Sequence, residues 1–242
     1  MKAPMSFFRY ALLGFCTWTL GACSNTPPPP SMPGPEGQLT IMGNGTALNL
    51  DAPPRDWIIS GGGEDRASAI TSVNRDGVAA LEIRSGPERV IVVRQVDAML
   101  LATPFLSWTW NLSNHGAGIH PVRLVVGFKG GAPEDSETTN QGDGLPEHDR
   151  AIVLAWGDTA LKRGTLSLPP PERPFEAPVY TVRGGRENTR RWWNDAVDLS
   201  DLYTKAWPND NGRRARIAFI GLAAAPSTKP VRGRISNILL MR

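Results

Sequence analysis

The stretch "LSWTWNL" (residues 106–112) decides the fold. Side chains along an extended strand alternate between its two faces, so Leu106, Trp108, Trp110 and Leu112 share one side while Ser107, Thr109 and Asn111 share the other. Each large ring withdraws about 150–250 Å² from water when buried. Two tryptophans flanked by leucines on one face, with only small polar residues opposite, therefore predict a strand whose indoles face a core.

The same texture runs along the chain. "AALEIRS" from Ala79, "VIVVRQV" from Val90, "VRLVVGF" from Val122, "AIVLAW" from Ala151, "VYTVR" from Val179, "RIAFIGLA" from Arg216 and "RISNILLM" from Arg234 are short alternating or β-branched runs, punctuated by Gly, Pro, Asn and Asp. Many short strands with little helical periodicity predict an all-β sandwich or jelly roll. One helix interrupts them near the C-terminus. In "VDLSDLYTKAWP" the apolar residues Leu199, Leu202, Tyr203 and Ala206 recur at i, i+3, i+4 and i+7, Asp198 or Ser200 supplies a cap, and Pro208 stops the turn.

The N-terminal segment has a different character. Lys2 and Arg9 precede an apolar run from Tyr10 to Leu20, and "LGAC" closes it at Cys23, the layout of a secretory signal peptide. About 11 apolar residues are too few to cross a bilayer as a helix, which takes about 20. Leu20-Gly21-Ala22-Cys23 resembles the bacterial lipobox, whose cysteine becomes the lipidated first residue of the mature chain. Ser24, where lipoproteins retained at the inner membrane often carry Asp, points to the outer membrane. The expected division is a signal peptide over 1–22, a Pro-rich tether over 23–38 ("PPPPSMPGPEG" within it) and one β domain over 39–242.

Cysteine and charge usage bound the chemistry. Of the two cysteines, Cys16 lies in the run to be removed and Cys23 would carry lipid, so the β domain has no disulfide to rely on. Losing residues 1–22 removes Lys2 and Arg9 and leaves 24 basic against 23 acidic residues. That balance lacks the basic footprint of a nucleic-acid binder, and no cofactor motif is present. "RRAR" (213–216) and "RGGRENTRR" (183–191) read as solvated turns and strand ends.

Four segments together, "LSWTWNL", "VRLVVGF", "IVLAWGD" before a Pro-rich excursion to "VYTVRGG", and "RRWWNDAVDLSDLYTKAW" before "RIAFIGLA" and "GRISNILLM", resemble the bacterial domain-of-unknown-function 3047 (DUF3047) family over roughly Trp57 to Met241. The resemblance implies a β-sandwich of the galactose-binding or carbohydrate-binding-module kind and an exported protein, and carries no activity with it. Family members often place Gly-Asp-Asp before the strand matching "VRLVVGF" and an Asp-rich turn after the one matching "RIAFIGLA". Here those places read "GIHP" and "AAAPSTKP", so no role of those acids transfers.

Two segments are candidates for binding. The loop over 129–150 is long for a connection and holds Asp143, Glu147 and His148 among its six acids and one histidine. Its spacing matches no calcium loop, and His115, His120 and His148 lack the spacing of a zinc site. The second candidate is Trp192-Trp193. In an extended strand adjacent rings point to opposite faces, so one of them either stays at the surface beside Arg191 and Asn194, where it could stack on a sugar and bond its hydroxyls, or is covered by the following helix or the Pro-rich loop. With no nucleophile elbow and no phosphate loop, the expected function is a lipid-anchored periplasmic protein that binds a glycan or another envelope component without catalysis. The alternatives are a polysaccharide- or peptidoglycan-acting hydrolase or lyase using acids of the 129–150 loop, and a scaffold that docks another envelope protein.

Overall fold

The computed structural model describes residues 30–43, 48–49, 52–134, 144–173 and 176–242. Among them thirteen strands form: β1 (Leu39–Met42), β2 (Trp57–Gly61), β3 (Ile70–Arg75), β4 (Val78–Arg84), β5 (Val90–Met99), β6 (Phe105–Leu112), β7 (Val122–Lys129), β8 (Arg150–Gly157), β9 (Leu166–Ser167), β10 (Val179–Gly184), β11 (Trp193–Asp198), β12 (Arg216–Ala224) and β13 (Arg232–Met241). Helix α1 (Arg66–Ala69) is a single turn and α2 (Leu199–Ala206) has eight residues. The strands form two sheets. A six-stranded sheet runs β11-β6-β13-β4-β3 with β1 also on β13, and a seven-stranded sheet runs β2-β5-β12-β7-β8-β10-β9. All pairings are antiparallel except β8 with β10.

The protein is a β-sandwich, as the strand texture predicts, and β6 lies within the core as its alternation requires. Leu106, Trp108, Trp110 and Leu112 are each no more than 1% exposed. Trp110 meets Trp108 edge-on at 5.4 Å and reaches across to Trp156 of the opposite sheet at 5.5 Å, the edge-to-face geometry that ring quadrupoles favour. Leu124, Val126 and Phe128 of β7 and Ile220 and Leu222 of β12 complete the layer from the other side.

Local rules set the connections. Asp76 and Gly77 both adopt positive φ (55° and 79°), and Arg75 pairs with Val78. This is the two-residue turn whose twist suits a hairpin. Helix α2 forms where its periodicity places it. The Asp198 carboxylate accepts from the Ser200 and Asp201 backbone N–H groups, satisfying donors that a helix start otherwise leaves free. The buried face of α2 presents Tyr203 to Phe128 at 5.1 Å, closing one end of the core.

Two arginines tie the sheets together. Arg94 of β5 donates to the carbonyls of Thr40 and Ile41 at 2.6 and 3.0 Å, to Asp56 at 2.7 Å and to the Ser31 hydroxyl at 2.9 Å. Ser31 falls in the span expected to be a free tether, yet it bridges to Val96 and its backbone bonds Gln95 and Asp97. The chain therefore joins the sandwich from about Ser31. Arg183 of β10 makes the second tie, to Asp195 of β11.

Candidate functional site

The outer face of the seven-stranded sheet is the part of the fold that strand alternation leaves unexplained. On β7 the outward residues are Arg123, Val125, Gly127 and Lys129; on β8 they include Val153; on β5, Ile91 and Val93; on β12, Phe219 and Ala223. A solvated face would be polar here. Instead Ile91, Val93, Val125, Ala218 and Phe219 form an apolar cluster separate from the core, with Leu145, Val153 and Ala223 packed on it. Gly127 makes this packing feasible: a Cβ there would lie 2.1 Å from the Phe219 ring, so the ring lies across the bare glycine.

The end of the 129–150 loop covers part of the cluster. Asp149 anchors it, accepting from Gly130 N–H at 2.7 Å and donating its own N–H to the Phe128 carbonyl at 2.9 Å. This holds His148 with its ring 5.0 Å from Phe219, edge-on, and only 7% exposed. His148 Nδ1 donates to the Pro146 carbonyl at 2.8 Å. Between loop and sheet remains a groove of about 230 Å³, lined by Ile91, Val125, Leu145, His148, Val153, Phe219 and Ala223, with Arg89 and Arg123 also on its wall.

Arg123 is the electrostatic feature of this groove. Its Nε is out of reach of solvent and has no hydrogen-bond partner, and burial lowers the guanidinium pKa from its ordinary value. A buried donor left unsatisfied costs about 1–3 kcal/mol, so such groups are uncommon in native folds. Among the described residues the groove lining contains no carboxylate. A larger hollow, about 570 Å³, lies among the loops at Gly62, Arg84, Gly86 and Pro230, but Glu64 and Glu88 line it together with Arg84 and its charges are mixed.

The tryptophan pair lies at the edge of the six-stranded sheet. β11 begins at Trp193, which opposes Trp110, and Asp195 opposes Trp108, so Trp193 faces the inner side of the sheet edge. The Arg183 guanidinium covers its ring at 4.0 Å, Arg191 lies at 5.8 Å, and its Nε1 donates to the Asn188 carbonyl at 2.8 Å. Asn194 points to the other side, exposed, its Oδ1 accepting from Thr109 Oγ1 at 2.6 Å. Trp192 precedes the strand, is half-buried, and has a buried Nε1 without a partner. Arg191 is exposed and donates to the Glu187 carbonyl at 3.3 Å. The Trp193 ring is thus covered, by Arg183 of β10 rather than by the following helix or the Pro-rich loop.

Among the described residues, the loop acids and the tryptophans do not line one groove. His148 borders the outer-face groove, Glu147 is exposed beside it, and Asp143 and Cys23 lie outside the described residues. His115 and His120 meet edge-on 4.9 Å apart in the β6–β7 connection, away from His148 on its Phe219 contact. Among the described residues no group of three or more His, Cys, Asp or Glu side chains is placed to hold a metal ion. Sequence reasoning missed Arg123, Val125, Val153 and Phe219. The available signal was that "VRLVVGF" and "AFIGLA" are apolar at successive rather than alternate positions, which marks strands covered on both faces.

No family model and no curated protein matches this sequence. Among solved structures, a family 12 xyloglucanase from Bacillus licheniformis superposes with a TM-score of 0.43 at 12% identity, covering 85% of this chain and 100% of that one. The family 30 carbohydrate-binding module of a Clostridium thermocellum cellulosomal cellulase gives 0.41 at 11% identity over 84% and 96%. A family 11 module from the same organism gives 0.39 at 9% over 83% and 92%. At these scores the fold rests on the chain's own two sheets.

Proposed function

We propose that this protein is a lipid-anchored β-sandwich of a bacterial cell envelope, held through Cys23 at the periplasmic face of the outer membrane, that binds an envelope component, glycan or otherwise, in the groove on the outer face of its seven-stranded sheet. The observation that carries the binding half is the apolar outer face: a sheet that spends Ile91, Val125, Val153 and Phe219 on its outside, with a loop folded back to wall them, has the form of a recess for a ligand. The anchoring half is supported by the lipobox-like "LGAC" and the Pro-rich segment after it, and the resemblance to the exported DUF3047 family accords with export. Binding is favoured over hydrolysis because retaining and inverting glycosidases need two facing carboxylates, and this groove is walled by arginines and a histidine among the described residues.

The test uses two substitutions. Cys23→Ala should abolish incorporation of labelled palmitate. In that background the protein should co-sediment with purified outer-membrane fragments, and Ala223→Phe, which fills the groove without entering the core, should abolish co-sedimentation. Wild-type protein that takes up no labelled palmitate, or a Cys23→Ala protein that still does, overturns the anchor, and unchanged sedimentation of Ala223→Phe overturns the groove.

A further inference from the structure

Resting on that reading, the groove's walls identify the chemistry of what enters it. Its floor is aliphatic: Ile91, Val125, Leu145, Val153 and Ala223. Sugar rings are gripped by stacking on aromatic faces, but here Phe219 is 1% exposed and His148 7%, so neither offers an open face. Arg123 stands on the wall with a desolvated, unpartnered Nε, Arg89 lines the same recess, and the described lining residues include no carboxylate. A guanidinium presents parallel N–H donors that match a carboxylate or phosphate. At about 230 Å³ the groove is smaller than the ~300–1,000 Å³ of pockets that enclose a drug-sized molecule, so it admits a head group and a short stretch of chain.

We infer that the groove binds an anionic amphiphile, a carboxylate or phosphate head seated on Arg123 with an aliphatic portion along Val125, Val153 and Ala223. A fatty acid and a phospholipid share this chemistry, and a carboxylate-bearing saccharide is the competing class that the aliphatic floor disfavours.

The experiment titrates the full chain carrying Cys23→Ala by calorimetry with octanoate, octyl phosphate, octanol and trigalacturonate. Octanoate and octyl phosphate should each bind at least about tenfold more tightly than octanol, the factor set by one charge-assisted contact, and their ratio tells a fatty-acid from a phospholipid source. Arg123→Gln should reduce both to the octanol level while leaving octanol unchanged. Val153→Asp, which sets a negative charge on the floor, should abolish anion binding even if Arg123→Gln fails to fold. Octanol binding as tightly as octanoate overturns the anion assignment and leaves the groove standing. Trigalacturonate binding more tightly than octanoate overturns the aliphatic assignment. No saturable binding by any of the four overturns both this inference and the groove reading.

Discussion

Arg183 and Asp195 form a bidentate ion pair between the two sheets, Nε and the second guanidinium nitrogen donating to the two carboxylate oxygens at 3.0 and 2.8 Å. The Asp195 side chain is only 3% exposed and also accepts from Trp110 Nε1 at 2.8 Å, while the guanidinium covers Trp193. One carboxylate thus serves a core indole, an edge strand and the opposing sheet. Removing one partner of a buried pair leaves the other charge uncompensated, which costs about 3–5 kcal/mol. Asp195→Asn should lower the urea-unfolding free energy by that order, and Arg183→Met with Asp195→Leu together should cost less than Asp195→Asn alone. A double variant at least as unstable as the single one would contradict this account of the pair.

The two core tryptophans should respond differently to loss of the indole N–H. Trp110 donates to Asp195, whereas Trp108 Nε1 is buried without a partner. A hydrogen bond to a charged group contributes about 1.5–3 kcal/mol, so Trp110→Phe should destabilise by about that much more than Trp108→Phe. Chemical denaturation of the two variants side by side measures the difference, and equal losses would show that the Asp195 contact contributes nothing.

Gly127 and Phe219 are matched in size. Because a Cβ at 127 would meet the Phe219 ring at 2.1 Å, Gly127→Ala should cost about 1–3 kcal/mol through overpacking. The cost should shrink in a Phe219→Ala background, where the obstructing ring is gone. A full double-mutant cycle reads the coupling, and strict additivity would mean that the close approach is not the cause.

His120 makes stability fall in acid. The ring is fully buried; Nδ1 accepts from Val122 N–H at 3.0 Å and Nε2 donates to the Ser113 carbonyl at 3.2 Å, an arrangement of the neutral imidazole. Burial first, and then the neighbouring His115, push its pKa from 6.5 down to about 3. Between these values the unfolded chain holds a proton that the folded chain does not. Stability contributed by the neutral ring is therefore complete above about pH 6.5 and falls as pH drops toward 3, by up to about 1.4 kcal/mol per pH unit. Urea midpoints at pH 7, 6 and 5 should decline in the wild type and flatten in His120→Asn. A variant with the wild-type slope would assign the acid sensitivity to other groups.

How far the sequence was readable depends on whether one face or two faces of an element were buried. β6 and α2 each have one buried side, so period-two and i, i+3, i+4, i+7 patterns located them and their inward residues. The eight strands read from their texture all form. β1, β2, β3, β9 and β11 escaped, being short or flanked by polar residues, although Asp76-Gly77 marked the β3–β4 hairpin for a reader looking for it. The groove escaped for the opposite reason. In β7 and β12 apolar residues occupy both faces, so alternation vanishes and the outer cluster merges with the core in the sequence. The cover over Trp193 was not legible because Arg183 comes from a strand in the other sheet, a contact fixed by the packing of β10 against β11 that no local pattern contains.

Hydrogen exchange on the Cys23→Ala protein, with and without purified outer-membrane vesicles, tests most directly whether the outer-face groove is the binding site. Added vesicles should slow exchange in peptides covering residues 144–153 and 219–225 and leave residues 192–197 unchanged. Protection confined to 192–197, or no protection anywhere, would contradict it.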